Sequence, residues 1–74
     1  MEARIASIKD AVIDVLGGSA SQIFLSRMDK TLDEAGGDPA AIRTACVRIE
    51  KMVRLFIGPD EARAVGERCR LILG

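Results

Sequence analysis

The sequence predicts an all-α fold, a compact antiparallel four-helix bundle built from two pseudo-repeated helix–turn–helix hairpins. Three observations predict it: four stretches carry apolar residues at helical spacing, glycine and proline separate those stretches, and the two halves of the chain resemble each other. No stretch alternates with the period of two that marks a strand. The 74 residues suffice for one domain, so we expect a single domain over 1–74, with hairpin 1 at about 3–35 and hairpin 2 at about 39–73.

The first helix is predicted over about 3–16. The charged residues Lys9, Asp10 and Asp14 fall outside its apolar arc, which makes the helix amphipathic. Gly17 follows directly, and glycine suits the left-handed conformation that often closes a helix. The residues expected to face the core are Ile5, Ile8, Val12, Val15 and Leu16.

The second helix is predicted over about 20–35, with Ser19 as its N-cap. A serine at that position accepts a hydrogen bond from a backbone N–H that has no partner inside the helix. The pair Gly36-Gly37 ends the helix. The expected inward residues are Phe24, Leu25, Met28, Leu32 and Ala35.

The third helix is predicted over about 39–57 and has the clearest start. Asp38 is expected to cap it, and Pro39 occupies the first position, where a missing N–H costs no hydrogen bond. Gly58 ends the helix. The expected inward residues are Ile42, Cys46, Ile49, Met52, Val53, Phe56 and Ile57.

The fourth helix is predicted to begin at Pro59 and to reach about Leu73. Asp60 and Glu61 place negative charge at its N-terminus, where the helix dipole is positive. Ile57-Gly58-Pro59 is expected to set the corner with the third helix. The expected inward residues are Ala62, Val65, Cys69, Ile72 and Leu73.

An internal repeat relates the two halves at an offset of 41 residues. Most inward residues of the first and second helices then coincide with inward residues of the third and fourth, and Gly17 coincides with Gly58. A lone helical hairpin cannot bury its apolar side, so two hairpins packed together are expected to share one core.

The composition argues against catalysis. The chain has no histidine, which removes the commonest general base and an imidazole metal ligand. Cys46 and Cys69 fit no zinc spacing and are too few for a disulfide scaffold. They are expected to be small buried thiols in a reduced, cytoplasmic chain. We therefore expect no enzyme activity, no cofactor or metal, no small-molecule ligand and no membrane segment.

Some apolar residues fall outside the predicted inward arcs, and these carry the functional prediction. Val47 and Leu55 project from the third helix among charged residues, and Ile13, Ile23 and Leu71 are displaced on the other helices. Five such residues in so small a domain predict a surface for a protein partner, for a second copy of the chain, or for both. Its centre is expected at Val47 and Leu55, with a basic rim formed by Arg43, Arg48, Lys51 and Arg54.

A small nucleic-acid-associated regulator is the alternative. The third helix carries the four rim cations, and the fourth adds Arg63, Arg68 and Arg70, which are side chains that contact phosphates. Eleven acidic residues balance the eleven basic ones, and Gln22 is the only amide side chain for reading bases. Nucleic acid is therefore not the partner we expect.

The segment "LFIGPDEARAVGERCRLIL" resembles small helical domains that are appended to bacterial signalling proteins, together with kinase, nucleotide cyclase and roadblock-type modules. The matching residues include a hydrophobic-Ile-Gly-Pro turn and an alanine-containing helix, namely Phe56, Ile57, Gly58, Pro59, Ala62 and Val65. The segments "VLGGSA" at 15–20 and "GGDP" at 36–39 fit the same layout. The resemblance implies a noncatalytic adaptor or assembly role in bacterial signalling or cytoskeletal assembly.

Overall fold

Four α-helices account for most of the chain in a computed structural model, which describes residues 3–74. They are α1 (Ala3–Leu16), α2 (Gln22–Ala35), α3 (Pro39–Phe56) and α4 (Pro59–Leu73), and the described residues contain no strand. The chain packs into a body of 28 × 23 × 17 Å with a radius of gyration of 10.9 Å. The helical class and the number of helices are confirmed.

One apolar core joins all four helices. Ile8, Val12, Met28, Leu32 and Ile49 are among its fully buried residues. Within 3–74 no polar or charged side chain is buried, so the core forms by excluding water from apolar surface alone. Several residues predicted to point inward are only partly buried and pack around this core: Val15, Leu25, Ala35, Met52, Ile57, Ile72 and Leu73.

The connection between α1 and α2 differs from its prediction. Gly17 adopts a left-handed φ of 54°, as expected, but Gly17–Ser19 then form a short 3-10 turn and α2 begins only at Gln22. Ser19 lies within that turn and is not the N-cap of α2. Ser21 is the cap, and its hydroxyl accepts a hydrogen bond from the Phe24 amide at 3.1 Å.

The start of α3 follows the prediction in position but not in chemistry. Asp38 is the N-cap residue and Pro39 follows it, yet the Asp38 side chain makes no capping hydrogen bond. Its backbone carbonyl instead accepts the first helical bond, from the amide of Ile42 at 2.9 Å. The expected carboxylate cap is therefore wrong.

A two-residue corner joins α3 to α4 at Ile57 and Gly58. Both backbone amides donate to the carbonyl of Val53, at 2.8 and 3.0 Å, which closes the last turn of α3. Phe56, predicted to face the core, is instead 64% exposed. It is the last residue of α3, and Val53 is the last residue of that helix that is fully enclosed by the core.

The helices do not pack as two equal pairs. α4 has the most extensive contacts, first with α3 and then with α1, whereas α1 and α2 touch only slightly. Two sets of ion pairs supplement this packing. Arg68 of α4 bonds Asp14 of α1 at 3.0 Å, and Lys9 of α1 lies 3.4 Å from Asp29 and 3.2 Å from Asp33 of α2.

The Ser21 cap gives the first test. Replacing Ser21 by alanine removes the acceptor for the Phe24 amide, so we expect Ser21→Ala to lower the free energy of unfolding by about 1 kcal/mol. Ser19→Ala is the matched control because Ser19 is exposed and makes no cap, and its effect should stay below about 0.5 kcal/mol. Urea denaturation followed by circular dichroism measures both, and equal losses would contradict the assignment.

The Lys9 ion pairs give the second test. Desolvation acts to lower the pKa of Lys9, but the hydrogen bond to Asp33 and the charges of Asp29 and Asp33 outweigh it and raise that pKa above 10.5. The stabilisation is therefore complete below pH 10.5 and is lost as pH rises through the folded-state value. Lys9→Met keeps the apolar stem, and we expect it to lose less than about 1 kcal/mol at neutral pH.

The same variant should approach the stability of the wild type once the pH exceeds the raised pKa of Lys9 in the folded state, because both chains then lack the ammonium charge. Urea titrations of the two chains at neutral and alkaline pH measure this difference. A gap that stays constant across that range would show that Lys9 acts through packing and not through charge.

Candidate interaction surface

Six large apolar side chains are exposed in the described part of the chain. Five of them are the residues that fell outside the predicted arcs, so their exposure is confirmed, and Leu55 is the most exposed at 82%. Phe56 is the sixth and was missed, because its helical phase placed it in the inward arc. The full set is Ile13, Ile23, Val47, Leu55, Phe56 and Leu71.

The side of α3 that faces away from the core carries the predicted centre. Val47, Lys51 and Leu55 follow one another at intervals of four residues, so they lie along one side of the helix, opposite its fully buried residues. None of the four nearby cations forms an ion pair with a residue that the structure describes. We call this region the α3 outer face, and it comprises Arg43, Val47, Arg48, Lys51, Arg54 and Leu55, all exposed.

A groove of about 360 Å³ adjoins the α3 outer face, between α3 and α4. Arg43 and Val47 belong to both, so the groove continues the predicted surface. Arg70 on α4 adds a second guanidinium, and the carboxylate of Glu50 is the one acidic group in the lining. The complete lining is Arg43, Cys46, Val47, Glu50, Gly66, Cys69, Arg70, Leu73 and Gly74.

Gly66 allows α4 to lie against a charged side chain of α3. It is a buried residue in the interior of α4, and a β-carbon built on it would overlap the Oε1 atom of Glu50. The carboxylate of Glu50 therefore occupies the space that any other residue at position 66 would fill. Both residues of this contact line the groove.

Two thiols form part of the groove wall. Cys46 and Cys69 are both free and buried, both line the groove, and their side chains interact. The hydrogen bond from Cys69 lowers the pKa of Cys46, although desolvation opposes it. The same bond, together with burial and the charge of Glu50, raises the pKa of Cys69. Of the two, Cys46 is therefore the sulfur that ionises first.

A second, smaller hollow lies where the start of α2 meets the end of α3. Ile23 and Phe56, both largely exposed, line it together with Ser19, Ser21, Phe24 and Ile57. The hollow measures about 180 Å³. The sequence did not identify this hollow.

The nine predicted surface residues thus fall into separate regions. Six form the α3 outer face, and Ile23 borders the hollow with Phe56. Ile13 on α1 and Leu71 on α4 are exposed but border neither the groove nor the hollow. The groove itself was missed, because it depends on which residues of α3 and α4 face each other, and periodicity within one helix does not determine that.

Between Ala3 and Gly74 there is no group of three or more His, Cys, Asp or Glu side chains placed to hold a metal ion. Over that range, none of the helices combines the length and the apolar character needed to cross a bilayer.

The contact between Gly66 and Glu50 can be tested with a double-mutant cycle. Alanine is a better helix former than glycine by about 1 kcal/mol, so Gly66→Ala should stabilise the chain by about that amount in a Glu50→Ala background. In the wild-type background the gain should be smaller, because the Glu50 carboxylate must move away. Unfolding free energies of the four chains measure the coupling, and an identical gain in both backgrounds would refute the contact.

Comparison with protein families, with curated proteins and with solved structures gives no match to this chain. The function is consequently inferred from the chain's own residues. These are the apolar and basic side chains of the α3 outer face and the lining of the adjoining groove.

Proposed function

We propose that this chain is a noncatalytic adaptor domain for protein–protein interaction or oligomerisation, and that it binds through the α3 outer face. The observation that carries the proposal is the exposure of Val47 and Leu55, at 50% and 82%, on a helix whose opposite side is packed. The buried core contains neither residue, so neither is needed inside the monomer. Covering them with a partner would remove their apolar surface from water.

The charges around these residues indicate the character of the partner. Arg43, Arg48, Lys51 and Arg54 surround Val47 and Leu55, and the one carboxylate beside them on α3, that of Glu50, lines the adjoining groove. A symmetric dimer that brought two such faces together would oppose like charges. A protein surface that is apolar at its centre and acidic at its edge is the better partner. Self-association through this face is an alternative that sedimentation distinguishes.

The groove between α3 and α4 extends the same surface. Its lining is largely apolar at Val47, Cys46 and Leu73, while Arg43 and Arg70 supply positive charge. An apolar side chain of the partner fits such a groove when a neighbouring carboxylate on the partner reaches one of the guanidinium groups. This arrangement supports a protein ligand and needs no bound cofactor.

The proposal also includes the absence of catalytic activity and the cellular location of the chain. A chain without histidine lacks the usual general base at neutral pH, which supports a noncatalytic role. Two free thiols favour the reducing cytoplasm. The Ile57-Gly58-Pro59 turn, through its resemblance to domains of signalling proteins, favours bacterial signalling or cytoskeletal assembly.

We also propose that the bundle is antiparallel and that its two helical pairs derive from one repeated hairpin. Cys46 and Cys69 line the same groove, and Glu50 lies beside Gly66, which supports opposite directions for α3 and α4. Residues at the offset of 41 have matching burial in five core pairs: Ile5 and Cys46, Ile8 and Ile49, Val12 and Val53, Phe24 and Val65, Met28 and Cys69. Gly17 and Gly58 differ in conformation, with φ values of 54° and 163°, so the likeness does not extend to the turns.

Nucleic-acid association is the second candidate, and one observation favours it. The four cations of the α3 outer face are exposed and make no ion pair within residues 3–74, so they are available to phosphates. Binding of this kind weakens steeply with salt. A random-sequence DNA duplex bound in a salt-dependent manner, with the binding lost in Arg48→Glu or Arg54→Glu, would favour this function over the adaptor.

The adaptor proposal is tested with a charged substitution at the centre of the surface. The double variant Val47→Asp/Leu55→Asp should retain its fold, because both positions are exposed and such changes cost about 0.5 kcal/mol or less each. We expect it to lose a protein that the immobilised wild-type domain captures from bacterial extract, with at least a tenfold loss of affinity when that protein is purified and titrated.

Ile13→Asp/Leu71→Asp is the matched control, since these two residues are also exposed and apolar but lie outside the α3 outer face. It should bind as the wild type does. Sedimentation of the wild-type domain tests self-association. A dimer that dissociates in the Val47→Asp/Leu55→Asp variant identifies a second copy as the partner. A monomer whose captured proteins are the same for all three chains would refute the proposal.

A further inference from the structure

The two cysteines of the chain are brought together by α3 and α4 although 22 residues separate them in sequence. Each is almost fully buried, Cys46 at 7% and Cys69 at 3% exposure, and both lie in the wall of the α3–α4 groove. The contact of Glu50 on α3 with Gly66 on α4 sets a register in which Cys46 and Cys69 face each other across the two helices. They are therefore side by side and also border open space, from which a small reagent can approach.

The helices approach closely at this point because the residues between them are small. Gly66 lies one turn before Cys69 on α4, and its missing side chain is replaced by Glu50, which lies one turn after Cys46 on α3. Small residues at such a contact bring the two backbones nearer than large ones allow. Bridging two cysteines requires Cα atoms about 4.4–6.8 Å apart, so close approach is the condition that a disulfide needs.

We propose that Cys46 and Cys69 are a redox-active dithiol that closes to an intramolecular disulfide on reaction with a small-molecule disulfide such as oxidised glutathione. The Cys46 thiolate attacks one glutathione sulfur, forming a mixed disulfide and releasing one glutathione thiolate. The Cys69 thiol then loses its proton to solvent and its sulfur attacks Cys46, which forms the Cys46–Cys69 bond and releases the second glutathione. Two electrons pass from the protein to the oxidant, and each released thiolate takes up a proton.

The surroundings assign the two roles. Cys46 has the lowered pKa, and it is the more exposed of the pair, so it reacts first. Arg43 and Arg70 also line the groove, and Glu50 raises the pKa of Cys69 while Arg70 lowers it. Cys69, with a raised pKa and the smaller exposure, resolves the mixed disulfide. This inference concerns the isolated chain and does not depend on the proposed function.

Closing this bond links α3 directly to α4 and constrains the unfolded chain between the two cysteines. Such cross-links stabilise a folded domain when the native geometry accepts them without strain. We therefore expect oxidation to lower the equilibrium constant for unfolding by at least about tenfold. An oxidised chain that is less stable than the reduced one would mean that the helices must move apart or twist to form the bond.

The experiment treats the reduced, folded protein with glutathione buffers of increasing oxidised content and follows the intact mass. The expected product is a monomer that has lost two hydrogen atoms and regains them with dithiothreitol. Urea denaturation of the oxidised and reduced forms then gives the change in the unfolding equilibrium. Both measurements use the wild-type chain, so they do not depend on whether a cysteine variant folds.

Single variants test the order of the two steps. Cys69→Ser should accumulate the glutathione adduct on Cys46, and Cys46→Ser should react at least about tenfold more slowly, because the remaining thiol has the raised pKa. Circular dichroism confirms that each variant is folded before it is used. The proposal is overturned if the wild type stays a dithiol, forms only glutathione adducts or intermolecular dimers, or becomes less stable on oxidation.

Discussion

The packing of α4 against both α3 and α1 is the constraint on which the rest of the structure depends. α1 and α2 are adjacent in sequence but contact each other only slightly, so α1 is held mainly by α4. The inward residues of α4 are small, including Ala62, Gly66 and Cys69, which allows this helix to lie close to its neighbours. A bulky residue at these positions would separate α3 from α4 and leave α1 without its main support.

This close packing also determines where the chain can interact with other molecules. Since the inward side of α3 meets the core, Val47 and Leu55 on its opposite side are left outside. Between α3 and α4 the groove exposes part of Val47 and Leu73 together with two arginines. The surface proposed for interaction is therefore formed by the helices themselves and requires no additional element.

The sequence predicted the features that depend on local chemistry. Helical periodicity identified all four helices, glycine and proline marked their ends, and the displaced apolar residues are all exposed. Ser19 was predicted as the cap of the second helix, and the 3-10 turn over Gly17–Ser19 moves the cap to Ser21. Phe56 has the phase of a core residue, yet it is exposed at the end of α3. The groove and the Cys46–Cys69 pair depend on contacts between helices, which periodicity within one helix does not determine.

The core restricts the chemistry that is available to this chain. Between residues 3 and 74 every buried side chain is apolar or a thiol, so the two cysteines are the only reactive groups that the packing brings together in the interior. The charged side chains of these residues lie at the surface or in the groove, where charge complementarity and ion pairs can act. The proposed interaction at the α3 outer face and the proposed thiol chemistry share one structural origin, because both depend on the line along which α3 meets α4.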